Sequence, residues 1–148
     1  NTAGRWMLSL ALKSVHDLVK GARKVQQTIL LVGDISDIYV TNFNTMTGDP
    51  NFTVEELSAI AFGYNRLLKE SSDLLLDLKE VTTATGLSMT DKERLDIINR
   101  IYGEVLEYKN LTWYYTRKNI GVSYLRSKEK GDAARVLSLY GTHEQRYW

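Results

Sequence analysis

A single proline, Pro50, interrupts the 148 residues of this chain, and apolar residues on both sides of it recur at intervals of three and four. Proline is the residue that most strongly breaks a helix, and spacing of three and four places side chains on one helical face. No segment shows the strict alternation of a half-buried strand. The sequence therefore predicts an all-α protein made of long helices.

Local signals divide the chain into four helices. Residues 47–51 combine glycine, aspartate and proline, which is the densest turn signal present. Two threonine–glutamate pairs have the spacing of a capping box: Thr53 with Glu56, and Thr90 with Glu93. Other residues are placed to end or cap helices: Gly86, Gly131, Gly141 and Asp132. The predicted helices span about 5–46, 54–85, 91–130 and 133–140, within one domain of residues 1–148.

Short connections between long helices favour antiparallel neighbours with shallow crossings, as in coiled coils. We therefore expect an elongated antiparallel three-helix bundle with a short C-terminal fourth helix. The core-facing stripe of the first helix is predicted to contain Leu8, Leu12, Val15, Leu18, Ala22, Val25, Ile29, Val32, Tyr39 and Phe43. Gly21 and Gly33 fall within this helix, where each marks either a bend or a close approach of another helix.

Composition excludes several classes of function. The chain contains no cysteine, which excludes disulfides, thiolate metal sites and cysteine nucleophiles. Its two histidines, His16 and His143, stand far apart, and the sequence has no metal-binding or nucleotide-binding motif. The net charge is +1, and no stretch approaches the roughly 18 apolar residues that a membrane span requires. We predict a non-enzymatic protein without catalytic residues, cofactor, metal or transmembrane segment.

Two carboxylate pairs are the remaining candidates for an enzyme. Asp34 and Asp37 interrupt an apolar segment, which favours pairing with a basic residue on a neighbouring helix. Asp73 and Asp77 lie four residues apart on one face, a spacing compatible with metal or acid–base chemistry. The mixed charges around this second pair favour an exposed, ion-paired face instead.

The strongest surface candidate lies in the third helix, where Trp113, Tyr114 and Tyr115 are consecutive. Consecutive helical residues spread around the axis, so these three aromatics cannot all face one core. Six basic residues against two acidic ones between positions 117 and 135 give a local charge of +4. We select five partner-binding residues: Trp113, Tyr114, Arg117, Lys118 and Arg126.

Two other interpretations of this segment stay open. Aromatic rings beside cations suit single-stranded nucleic acid, so an accessory protein that binds it through residues 113–135 is the alternative function. The cations also complement a helix C-terminus, and the aromatics can pack against Leu137 and Tyr140 without any partner.

Five segments, taken in order, resemble one family: DPNFTVEEL at 49–57, YNRLLKES at 64–71, LSMTDKERL at 87–95, YYTRKNIGVSYL at 114–125 and RVLSLYG at 135–141. The chain is similar over roughly residues 40–148 to the conjugal transfer protein family, often labelled TraI, of conjugative transposons in Bacteroides and relatives. The relaxase and helicase of enterobacterial plasmids carries the same label but is a different protein, whose histidine cluster and nucleotide-binding motifs are absent here.

The resemblance implies a non-enzymatic interaction or structural subunit of a conjugative DNA-transfer apparatus similar to a type IV secretion system. It implies other proteins of that apparatus as partners and leaves self-association open. It also implies export, with a signal peptide removed ahead of Asn1 and a periplasmic or cell-envelope location. It supplies no catalytic residues.

Overall fold

The computed structural model describes residues 2–84 and 88–141, with side chains described for Arg5 and from His16 onward. It contains four helices: α1 (Thr2–Thr47), α2 (Val54–Thr83), α3 (Asp91–Glu129) and α4 (Ala133–Tyr140). No strand occurs in this part of the chain, which confirms the all-α class and the four helices. Gly86 and His143 lie outside the described residues.

The three long helices all pack on one another, and α4 packs on α1 and α3. Contacts between α2 and α3 run in opposite chain order. Glu56 at the start of α2 bonds Arg126 near the end of α3, whereas Glu70 farther along α2 accepts a hydrogen bond from Tyr108 in the middle of α3.

Two clusters of buried apolar side chains fill the interior. The α4 cluster joins all four helices and the turn before α2, and contains Met46, Phe52, Ile60, Tyr64, Ile120, Val136 and Tyr140. The three-helix cluster contains Val32, Ile35, Leu78, Ile98, Ile101 and Val105. The core therefore runs along the three long helices, and α4 contributes only at one end.

The core-facing stripe of α1 differs from the predicted one. Leu18 is 57% exposed and Ile29 is 52% exposed, whereas Gly21 and Thr28 are buried. Gly21 is buried because α3 packs over it: a Cβ there would lie 3.6 Å from the Cδ1 atom of Ile98, an ordinary van der Waals contact. Thr28 tolerates burial because its hydroxyl donates to the carbonyl four residues earlier. The prediction of Leu18, Ala22 and Ile29 as core residues was wrong. The side chains of Leu8, Leu12 and Val15 lie outside the described residues.

Only one of the two predicted capping boxes is complete. The Glu56 N–H donates to the Thr53 hydroxyl, and the Thr53 N–H donates to the Glu56 carboxylate, both at 3.1 Å. At α3 the Glu93 N–H donates to the Thr90 hydroxyl, but that hydroxyl itself donates to the Glu93 carboxylate. The Thr90 N–H therefore lacks the reciprocal bond that defines the box.

The connection between α3 and α4 uses glycine as predicted but not the predicted cap. Gly131 follows α3 with φ 71°, and Gly141 ends α4 with φ 93°, both in the region that favours glycine. Asp132 makes no side-chain capping bond at the start of α4. Its carboxylate accepts a hydrogen bond from Arg135 instead.

A buried polar network joins the turn between α1 and α2 to α3 and α4. Asp49 is 2% exposed, and its carboxylate accepts hydrogen bonds from the Asn51 N–H, the Ser123 hydroxyl and the Tyr140 hydroxyl. The side-chain amide of Asn51 donates to the Ser123 carbonyl. Burial and the neighbouring Asp49 carboxylate raise the pKa of Tyr140, so its hydroxyl stays a donor.

We expect Asp49→Ala to lower the free energy of unfolding by about 3 kcal/mol or more, because three buried donors lose their acceptor. Tyr140→Phe removes only one of those donors and should cost about 1 kcal/mol. Urea unfolding of both variants measures the difference. Two equally small effects would contradict a network organised around Asp49.

Gly63 of α2 lies so close to Tyr115 of α3 that a Cβ would sit 2.5 Å from the Cζ atom of that ring. The Tyr115 hydroxyl donates to the Ile60 carbonyl at 3.0 Å. Its ring packs edge to face on Tyr64, with centroids 4.9 Å apart. The tyrosine therefore cannot move away from a larger side chain without losing these contacts.

We expect Gly63→Ala to destabilise the protein by about 1–3 kcal/mol through overpacking, despite the higher helix propensity of alanine. Gly33→Ala is the matched control, since Gly33 lies in a helix and no described side chain lies within 4 Å of a Cβ built there. The control should stabilise the protein by about 0.5–1 kcal/mol. Thermal unfolding compares the two, and shifts of the same sign and size would contradict the close approach.

Candidate protein-binding surface

The three consecutive aromatics of α3 occupy different environments, as predicted. Trp113 and Tyr115 are half-buried and pack against the α4 cluster. Tyr114 lies on the opposite side of the helix and is 57% exposed. Of the three rings, Tyr114 is therefore the one available to a partner.

Arg117 and Lys118 follow Tyr114 one turn later, and both side chains are exposed. Neither forms an ion pair with any residue in the described part of the chain. Two uncompensated positive charges thus lie beside the exposed ring.

Arg126, which was predicted to bind a partner, is engaged inside the molecule. Its guanidinium makes two hydrogen bonds to the Glu56 carboxylate, at 2.8 and 2.7 Å, and donates to the Asn51 carbonyl. The bond from Arg126, together with the Thr53 N–H, lowers the pKa of Glu56 to about 2. The Glu56–Arg126 ion pair links the end of α3 to the start of α2, and the carboxylate compensates the positive charge of Arg126.

Other cations of the +4 segment are also engaged internally. Lys130 donates to the side-chain oxygen of the buried Asn51 at 3.0 Å, and Arg135 forms an ion pair with Asp132. The positive charge that the segment offers to a partner is therefore smaller than the sequence suggests. Arg117 and Lys118 place two of the remaining positive charges beside Tyr114, and Lys128 is also exposed and forms no ion pair with a described residue.

Large apolar side chains extend the surface along α3. Leu111 is 47% exposed and Leu125 is 62% exposed. Gly121 lies between them, and no described atom lies within 4 Å of a Cβ built there. We define the outer face of α3 as the residues that follow one another at intervals of three and four on this side: Glu104, Glu107, Leu111, Tyr114, Lys118, Gly121 and Leu125.

The opposite, core-facing side of α3 is unusually rich in hydroxyl groups. Thr112, Thr116, Ser123 and Ser127 are all at most 1% exposed. Three of these hydroxyls bond carbonyls of their own helix, so their burial leaves no donor unsatisfied. The helix therefore buries threonine and serine while exposing leucine. Analysis of the sequence missed Leu111, Gly121 and Leu125, although their regular spacing was visible.

Two of the four candidate carboxylates, Asp34 and Asp73, form isolated ion pairs. Asp34 pairs with Lys109 of α3 at 3.0 Å, which confirms the expected partner on a neighbouring helix. Asp73 pairs with Lys69 on the exposed face of α2. Within the described residues, no three histidine, cysteine or acidic side chains converge as metal ligands would.

No protein-family model, curated protein or solved structure matches the chain. Among the described helices, none combines the length and apolar character needed to cross a bilayer. A function is therefore inferred from the outer face of α3 and from the resemblance carried by the sequence segments.

The Glu56–Arg126 pair predicts a dependence of stability on pH. The pKa of Glu56 is about 2 in the folded protein, compared with an ordinary value of 4.5. Because the folded-state pKa is the lower one, the carboxylate stabilises the fold above pH 4.5, and this stabilisation disappears as the pH falls toward 2. Glu56→Gln keeps an acceptor for the capping bond but carries no charge.

We expect this variant to have a lower Tm than the wild type near neutral pH, with the difference closing as the pH falls. Calorimetric scans of both proteins over this range measure the gap. Glu55→Gln is the matched control, because Glu55 is exposed in the same helical turn and pairs with no cation among the described residues. A gap that stays constant for Glu56→Gln would contradict the role of the pair.

Proposed function

We propose that this chain is a non-enzymatic structural subunit that binds other proteins through the outer face of α3. The observation that carries the proposal is the exposure of Tyr114 between Leu111 and Leu125, beside the uncompensated Arg117 and Lys118. Tyrosine and arginine dominate binding energy at protein interfaces because they bury a large area and also form hydrogen bonds.

We infer that the three long helices form an elongated bundle in which α2 runs antiparallel to α1 and α3, with α4 at one end. The order of the contacts supports this arrangement. Gly21 lies beside Ile98, and Asp34 farther along α1 bonds Lys109 farther along α3. A helix of 39 residues extends for about 60 Å, so α3 is suited to hold contact residues at fixed spacing.

We propose that the partners are proteins of a conjugative DNA-transfer apparatus and that the protein acts in the periplasm or cell envelope. The resemblance of the sequence segments supports this assignment. The segment at 49–57 contributes Asp49 and Asn51 to the buried network, and Thr53 and Glu56 to the complete capping box. Its residues therefore serve the fold, whereas the segment at 114–125 contains the exposed surface.

We expect the double variant Tyr114→Ala/Arg117→Glu to reduce crosslinking to envelope transfer proteins in donor cells by about tenfold or more, because it removes an exposed anchor and reverses a charge. Transfer frequency should fall with it, and the Tm of the purified protein should change little. Mass spectrometry of the crosslinked products provides the measurement. Phe62→Ala/Lys79→Glu, which makes the equivalent changes at two exposed positions of α2, is the control and should retain the crosslinks.

Single-stranded nucleic-acid binding through residues 113–135 is the second candidate, favoured by the exposed Tyr114 ring beside two cations. The internal bonds of Arg126 and Lys130 and the packing of Trp113 weaken it. The test is retention of labelled single-stranded DNA by the protein. If retention falls steeply with salt and is lost in the Tyr114→Ala/Arg117→Glu variant, nucleic-acid binding becomes the favoured function in place of protein binding. Absence of retention at about 50 mM salt would eliminate it.

A further inference from the structure

The outer face of α3 carries opposite charges at equal distances from its apolar centre. Leu111 and Tyr114 form the centre, Glu107 lies four residues before Leu111, and Lys118 lies four residues after Tyr114. All four side chains are exposed. Glu107 and Lys118 are about 16 Å apart along the helix axis, which is too far for an ion pair within one chain.

The next positions outward are also complementary. Glu104 lies seven residues before Leu111, and Gly121 lies seven residues after Tyr114. Glu104 is half-buried and carries a long side chain on the outer face, where its carboxylate accepts a hydrogen bond from Arg100 one turn earlier. The space beside Gly121 is open, since no described side chain lies within 4 Å of a Cβ built there. A side chain on one half of the face therefore matches a gap on the other half.

We propose that a second copy of this chain occupies the outer face, with its α3 antiparallel and a two-fold axis passing between Leu111 and Tyr114. Each Leu111 then packs on Tyr114 of the other copy, and each Glu107 meets Lys118 of the other copy. A two-fold interface repeats every contact, so one charge pattern produces two ion pairs. This inference rests on the proposed function, because a second copy of the subunit is one of the proteins that the same face would bind.

The charge pattern selects the direction of pairing. In a parallel arrangement, Glu107 would face Glu107 and Lys118 would face Lys118, and like charges in contact repel. In the antiparallel arrangement, the alternating intervals of three and four place the residues in the layers of an antiparallel coiled coil.

Two of the central layers contain ion pairs rather than apolar side chains, and exposed ion pairs contribute little binding energy. The dimer therefore forms at raised protein concentration and dissociates on dilution.

The test is a charge swap followed by analytical ultracentrifugation of the full chain over a range of concentrations. The wild-type mass should rise from 16.9 kDa toward twice that value. Lys118→Glu and Glu107→Lys each place like charges in contact at two sites, and each should weaken dimerisation by about tenfold or more. The double variant Glu107→Lys/Lys118→Glu restores both ion pairs and should recover the wild-type constant.

Recovery in the double variant would support the dimer specifically, because the two residues cannot contact each other within one chain. Lys92→Glu is the control, since it makes the same charge change at an exposed position of α3 away from the outer face, and it should dimerise normally. A protein that is monomeric at every concentration, or a double variant as weak as the single variants, would overturn the inference.

The register of the two paired α3 helices can be tested separately with introduced cysteines, because the chain has no cysteine of its own. When Glu104→Cys and Gly121→Cys proteins are mixed and oxidised, a disulfide between positions 104 and 121 should form in preference to either self-disulfide. Preferential 104–104 and 121–121 disulfides would overturn the antiparallel pairing.

The outcomes also separate this inference from the proposed function. A monomeric protein whose Tyr114→Ala/Arg117→Glu variant still loses its crosslinks to envelope proteins would overturn the second copy as occupant and keep the proposed function. A dimeric protein whose variant loses neither crosslinks nor transfer would support the dimer and overturn the proposed function.

Discussion

The carboxylate of Asp49 is the interaction on which the arrangement of the helices depends. A buried carboxylate is strongly unfavourable unless each oxygen is bonded, and Asp49 meets this requirement with donors from its own turn, from α3 and from α4. The turn between α1 and α2, the position of α4 and the rotation of α3 are therefore fixed together. The Glu56–Arg126 pair acts at the same end and fastens the start of α2 to the end of α3.

The rotation of α3 about its own axis decides what the protein offers to a partner. Ser123 must face Asp49, and Thr116 must face Tyr64, whose hydroxyl lies 2.6 Å from that of the threonine. These contacts turn the hydroxyl-bearing side of the helix inward, together with the apolar residues buried on the same side: Ile98, Ile101, Val105 and Ile120. Leu111, Tyr114 and Leu125 are turned outward as a consequence, although they are more apolar than the residues that replace them in the core. An exposed apolar seam on a rigid helix is typical of an interface.

The charged residues show why composition is a poor guide to a binding surface. Arg117, Lys118 and Arg126 look equivalent in the sequence, yet only the first two leave their charge uncompensated within the described part of the chain. The difference depends on Glu56, which is 70 residues away in sequence and comes near only because α2 packs against α3. Local charge counts cannot include such long-range pairs.

The sequence by itself determined the helical class, the four helices and the turn at Pro50, because these depend on spacing and on local backbone preferences. The same spacing predicted two capping boxes, of which only the one at Thr53 is complete. The sequence also indicated that Trp113, Tyr114 and Tyr115 diverge. Only the tertiary structure decided which face of each helix is buried. The packing of α3 on Gly21 and the buried network around Asp49 contribute to this choice, since both depend on residues brought together from distant parts of the chain.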